Sequence, residues 1–274
     1  MYLRFQYHSL RRDLSNFALV RHRDYTGFLA SMHQSGTHWL KHMLATAVAR
    51  RHGLAPPARA DANDIIGGLR DTPRRPGVPV IASSHSVPHL LLHAAWFRRL
   101  VSLPPHVVLV RDPRAALVAN HEKWKGRYGC GFSEYLRGDI GGHRFNCDLW
   151  SCIRFCRAWS AIAGRFPRQT LVVRYEDLER DALAELGRVN KFLKLDLGED
   201  ALRLGVSEST KEKMARKADP GLPAGVVVVR EDGRSFAGWY GREDRAFLEE
   251  ACRRLLRPGV FGYDFGSWPE ASSS

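Results

Sequence analysis

Four short apolar runs, at residues 27–32, 78–83, 106–110 and 170–173, recur through the first two thirds of the chain. Their brevity, their Val, Leu and Ile content and their Gly, Pro or charged borders predict buried strands. The pattern between them changes to a helical period. Residues 37–51 place Trp39, Leu40, Met43, Leu44, Ala47 and Val48 on one face, with Gly53 as a stop. Segments 88–100, 114–125, 148–166 and 182–193 also read as helices. Strands alternating with helices predict one α/β domain: a doubly wound, mainly parallel sheet flanked by helices, with a core over about 26–265 and a frayed tail over 268–274. Ligands of such sheets bind beyond the carboxyl ends of the strands.

Two connections, 54–77 and 125–147, are rich in Gly, Pro and charge and longer than usual, which predicts substrate-facing loops. The second carries Tyr128, Phe132 and Tyr135 just after Trp124, all available for apolar or sugar-stacking contact. Residues 215–238 show few periodic cues. The basic N-terminal segment, 1–20, lacks the apolar run of a signal peptide and reads as an edge segment, though its Leu, Phe and Arg side chains also suit peripheral contact with a membrane surface. No apolar run reaches 18 residues, so no transmembrane helix is expected, and the expected location is cytoplasmic.

Composition narrows the partner. Among 274 residues, 42 Lys and Arg oppose 29 Asp and Glu, a formal charge of +13 that favours an acidic ligand unless it merely follows an Arg-, Ala- and Gly-rich composition. At 44% hydrophobic residues the chain is too apolar to be disordered. Five cysteines, an odd number without a CxxC pair, exclude a disulfide framework and the commonest zinc spacing. Cys152 and Cys156 read as small apolar helix residues. His38 with His42, and His89 with His93, have i, i+4 spacing, but no carboxylate or Cys is patterned with them and no metal is expected.

Chemistry concentrates where strands meet helices. The segment "MHQSGTHW", 32–39, places a glycine turn at the start of a helix, where free N–H groups and the dipole suit a phosphate. It reads equally as a helix start capped by Thr37. Gly36 is followed by Thr37 rather than Lys, so it is no Walker A loop, and a P-loop kinase is disfavoured. "VRDPR", 110–114, leaves Arg111 at a strand end, where it can hold a second phosphate or pair, like Arg114, with Asp112. His85 follows the strand at 78–83 and suits a general base or a helix cap. "RYEDL", 174–178, offers Tyr175 to a base or sugar, with Glu176 or Asp177 as a helix cap.

In order and spacing these segments resemble the sulfotransferases that use 3′-phosphoadenylyl sulfate (PAPS). "STKEKM", 209–214, and "REDGRSFAGW", 230–239, add looser likeness. The resemblance implies that Ser35, Gly36, Thr37 and His38 hold the 5′-phosphosulfate and that Trp39 stacks near the adenine. It implies Arg111 at the 3′-phosphate, assisted by Arg230, Gly233 or Arg234, with Tyr175 at the adenine and Ser209 and Thr210 as lesser contacts. His85 would take the proton of an acceptor hydroxyl, on a phenol, saccharide or glycolipid, with PAP as product; no nucleic-acid partner is implied. Three positions depart from the family. Gln34 stands where a Lys or Arg usually assists the leaving oxygen, Ser83 where some members carry a second Lys, and Ala119 where a serine is usual. His33, Lys41 and Lys123 are candidates to replace the cation. The departures also support a second reading: a PAP-, PAPS- or acidic-glycan-binding module without turnover.

Overall fold

The computed structural model describes residues 1–21, 24–217 and 235–269. Four parallel strands, β1 (Gly27–Ser31), β2 (Ile81–Ser84), β3 (His106–Val110) and β4 (Thr170–Arg174), form one sheet in the order β2-β1-β3-β4. Phe28 lies opposite Ala82 on one side and His106 on the other, and His106 opposite Thr170. From β1 the chain crosses to β2 on one side, then returns to β3 on the other. The crevice between the carboxyl ends of β1 and β3 is therefore the switch point at which doubly wound sheets bind ligands.

Six helices of twelve residues or more are described: α1 (Tyr2–Ser15), α2 (Thr37–His52), α3 (Pro113–Tyr128), α4 (Leu149–Arg165), α5 (Ala182–Leu193) and α6 (Arg242–Leu255). Successive residues of β1 and β3 feed opposite faces. Leu29, Val107 and Leu109 pack with α2 and α5, whereas Phe28, Ala30, Val108 and Val110 pack with α3, α4 and α6. The near-continuous apolar runs read from the sequence are thus the mark of strands covered on both sides.

Several expected elements differ. β2 begins at Ile81 rather than 78, because Pro79 cannot donate to a ladder. The expected helix at 88–100 is a 3₁₀ turn (Leu90–His93) and a short helix (Ala95–Leu100), separated by extended Ala94 at φ −87°, ψ 119°. Part of the expected 125–147 loop is helical, since α3 runs to Tyr128 and Phe132–Arg137 forms another turn. No residue of the 54–77 loop lines the cavity above the first strand–helix turn, although Asp61 and Asn63 bond Lys41 beside it. Gly67 bridges Ala82, so the loop covers the free edge of β2.

The N-terminal segment, expected as an edge segment, forms a helix. Phe5, Ser9 and Asp13 turn inward, Phe5 enters the core, and Asp13 pairs with Arg154 of α4 at 2.7 Å. α6 also went unforeseen: its charged sequence hides a narrow stripe of Leu248, Ala251, Cys252 and Leu255 that seals the α4 side. Among the described residues no helix is long and apolar enough to cross a membrane.

His106 is completely buried beside Phe28 and Trp159, with ring centroids 6.0 and 5.4 Å away, and burial lowers its pKa to about 3. The unfolded chain therefore takes up this proton first. The contribution to stability is complete above pH 6.5 and is lost as pH falls toward 3, at up to about 1.4 kcal/mol per pH unit. The melting temperature should fall as the pH is lowered from 6.5 to 4, and His106→Leu should flatten part of that fall. An unchanged slope would remove His106 as a cause.

Candidate functional site

The β1–α2 turn is built by side chains that tie it to the sheet. Ser35 is buried and its hydroxyl donates to the carbonyls of Met32 (2.5 Å) and Leu109 (3.3 Å), so it shapes the turn from beneath. Thr37 donates to Ser31 Oγ at 2.9 Å. The cap of α2 is therefore Gly36, at φ 87°, and not Thr37. A Cβ on Gly36 would come within 2.8 Å of the Tyr175 ring, so this position needs glycine for space as well as for backbone angle. Gln34 is left-handed too, at φ 59°, a strained choice for a non-glycine residue. Two contacts hold it there: Arg111 Nη1 donates to its carbonyl at 3.0 Å, and its amide donates to Asn120 Oδ1 at 3.3 Å.

Above this turn opens a cavity of about 450 Å³. Its floor is His33, Gln34 and Gly36–Trp39, where the first-turn N–H groups of α2 have no helical partner. His85 enters from β2, Arg111 from β3, and Ala119, Lys123 and Trp124 from α3. Tyr175, Glu179, Ser209, Lys211, Met214 and Asn146 complete the wall. The structure thus gathers most of the residues singled out from sequence. Thr210 is not among them: its hydroxyl caps the helix Lys211–Arg216 by accepting from Lys213 N at 3.4 Å. Ser209 reaches the cavity, but its hydroxyl is spent, donating to Gly205 O at 2.7 Å and accepting from His42 Nδ1 at 2.6 Å. Arg230, Gly233 and Arg234 lie outside the described residues. Of the aromatic set expected at an acceptor, only Trp124 lines the cavity; Tyr135 is fully buried and stacks with Tyr128 beneath Asn120.

Arg111 is pinned as well as placed. Its guanidinium sits over the Tyr175 ring at 4.1 Å, while Tyr175 donates to Glu179 at 2.9 Å. The sequence left open which arginine pairs with Asp112. It is Arg114, which takes Asp112 at 2.8 Å in a buried fork, leaving Arg111 for the cavity. Glu176 does not cap its own helix; it accepts from Asp112 N at 2.9 Å and from Tyr263 OH at 2.8 Å, joining the ends of β3 and β4.

His85 has a defined tautomer. Its Nδ1 lies 2.8 Å from the carbonyl oxygen of Ser31, which can only accept, so Nδ1 carries the hydrogen and Nε2 carries a lone pair. Its ring stacks on His33 at 3.8 Å. Although the ring edge is open to the cavity, protein surrounds most of it. Burial, opposed by the Ser31 carbonyl and aided by the Lys123 charge, lowers its pKa below the ordinary value. Burial first, then His85 and Lys123, lowers His33 to about 3, and burial followed by Lys41 and Lys123 lowers His38 to about 4. The imidazoles here are neutral at pH 7, so formal positive charge on the cavity wall comes from Arg111, Lys123 and Lys211.

Of the three candidates for the absent cation, the structure separates Lys123 from the others. Lys41 is bonded to Asn63 and to Asp61 O (3.4 Å) and does not line the cavity, and His33 is neutral. Lys123 lines the cavity one helical turn beyond Asn120, the partner of Gln34. The Ser83 hydroxyl turns away to Gly67 O at 3.3 Å. Glu179, Lys211, Met214 and Asn146 carry no signal of their own in the sequence, although Lys211 and Met214 fall inside 209–214, Asn146 inside the 125–147 loop and Glu179 in the strand–helix segment 171–181 that holds Tyr175. Among the described residues no group of three His, Cys, Asp or Glu side chains is placed to hold a metal ion.

The sequence matches the sulfotransferase domain family over residues 25–221. A mouse sulfotransferase, SULT7A1, complexed with PAP has a similar structure, with a TM-score of 0.62 at 15% identity over 93% of this chain and 92% of that one. Retinol dehydratase with retinol and PAP gives 0.53 at 14% identity, over 91% and 86% of the two chains. The same enzyme with androsterone and inactive cofactor PAP gives 0.51 at 15%, over 90% and 86%. Such low identities concern the fold. No curated protein matches the chain.

Proposed function

Because a sulfotransferase domain accounts for most of its length, this chain belongs to the sulfotransferase family, and we propose that it moves a sulfonate group from PAPS to an acceptor hydroxyl with His85 as general base. One observation carries the reading: the free N–H end of α2, Arg111 and the Nε2 lone pair of His85 all face one cavity. The N–H groups of Thr37, His38 and Trp39 suit the 5′-phosphosulfate. Arg111 suits the 3′-phosphate, with Trp39 and Tyr175, edge to face at 6.0 Å, beside the adenine. PAPS supplies the activated sulfonyl group. His85 Nε2 accepts the proton of the acceptor hydroxyl while its oxygen bonds to sulfur, and the bond from sulfur to the bridging phosphate oxygen breaks in line, leaving PAP. Lys123 supplies the charge that Gln34 lacks, as that oxygen gathers negative charge. Trp124 and the small residue Ala119 frame the acceptor end, which suits a small apolar alcohol or phenol of the kind suggested by the retinol and androsterone complexes. Saccharide and glycolipid acceptors fit less directly, since only one aromatic ring from α3 lines the cavity.

A second reading, a domain that binds PAP or PAPS without turnover, is favoured by the Gln34 amide being engaged with Asn120. Calorimetry tests what the two share. PAP should bind more tightly than ATP, and Arg111→Ala should weaken PAP by about ten- to a hundredfold, the loss of charge-assisted hydrogen bonds. ATP binding tighter than PAP binding would sink both.

A further inference from the structure

α1 presents an apolar face to solvent, on the side away from its packed residues. Leu3, Tyr7, Leu10 and Leu14 are 87%, 61%, 51% and 50% exposed, and their 4-3-4 spacing aligns them in one stripe. Folding alone does not account for them, since Phe5, Ser9 and Asp13 already satisfy the inward face. The stripe continues past the helix. Exposed Phe17 stacks on His89 at 4.3 Å, His89 Nε2 donates to Leu14 O at 2.9 Å, and exposed Leu90 follows. The junction is further fixed by Asn16, whose amide donates to Val87 O at 2.8 Å. It is therefore a rigid, preformed apolar surface.

Charge selects the occupant. Arg4 and Arg11 are exposed along one edge of the stripe, and neither has an ion-pair partner among the described residues. The sole acidic residue of α1, Asp13, is buried and paired with Arg154. A second copy of the helix would bring arginines against arginines with no carboxylate to answer them. A surface with anionic headgroups above acyl chains would satisfy both parts at once: the leucines enter the apolar layer and the arginines stay among the headgroups. The chain's formal charge of +13 adds long-range attraction of the same sign.

We propose that this face of α1 docks on an anionic membrane surface, without spanning it. The inference stands apart from the transferase reading, because α1 contributes no residue to the cavity above the β1–α2 turn. Sedimentation with vesicles of phosphatidylcholine, with and without phosphatidylserine, tests it. The wild type should sediment with the phosphatidylserine vesicles and not with phosphatidylcholine alone. Leu10→Glu/Leu14→Glu should reduce binding by about tenfold or more, and Arg4→Gln/Arg11→Gln by about fivefold per arginine. Circular dichroism and PAP affinity should not change in either variant, which separates this result from misfolding. The proposal is overturned if the leucine variant binds as well as wild type, since attraction would then be charge alone. It is also overturned if light scattering finds a wild-type dimer that the leucine variant dissolves.

Discussion

His85→Ala is expected to lower transfer by about 10²–10⁴-fold, the usual loss of a positioned base, while PAP affinity holds. The structure makes this more specific than a general loss of activity. With Nδ1–H committed to the Ser31 carbonyl, only Nε2 can take a proton, and the lowered pKa keeps it unprotonated at neutral pH. The form that would act as base is the neutral imidazole. Wild-type kcat/KM should therefore fall on the acid side, at a pH below 6.5, and the fall should be absent from the residual activity of the variant. A base matters only while the acceptor holds its proton. The penalty should be large for an aliphatic alcohol or simple phenol and should shrink for a nitrophenol that ionises unaided near neutral pH. A structural defect would tax both alike. Equal penalties, or undiminished turnover with the alcohol, would remove His85 from the role of base.

The parts of this site that were legible in the sequence are those with a one-dimensional signature. A glycine between an apolar run and a helix marks the β1–α2 turn, and Arg-Asp-Pro-Arg after the next central strand marks a second strand end, because both depend on neighbours in the chain. The parallel sheet was legible for the same reason: strands covered on both faces read as unbroken apolar runs. What the sequence hid depends on contacts across it. That Asp112 takes Arg114 and frees Arg111 is decided by the buried fork at 2.8 Å. That Ser209 and Thr210 spend their hydroxyls on the protein is decided by His42, Gly205 and Lys213. α1 was not legible as a packed helix for a different reason: its packed face is Phe5, Ser9 and Asp13, which carries little apolar signal, while its leucines lie on the exposed face.

Lys123→Met should cost about 10²–10³ in transfer rate, as removal of one preorganised charge at a leaving oxygen usually does, with PAP affinity changed far less. A cation at position 34 would rise from the turn itself. This chain places an amide there and uses it to reach Asn120, and one turn along the same helix Lys123 enters the cavity. If the charge has moved from the turn to the neighbouring helix, then returning it should rescue. Gln34→Lys in the Lys123→Met background should recover at least tenfold, whereas in the wild type, where a cation is already present and a second would repel it, the same change should gain little. That non-additivity is the signature of two residues serving one function, and a double-mutant cycle on single-turnover rates measures it. If wild type is inert and Gln34→Lys alone creates transfer, then Lys123 does not replace the cation and the domain binds without turning over. If Lys123→Met keeps full turnover, the leaving oxygen is served by backbone N–H groups alone and the lysine has another use.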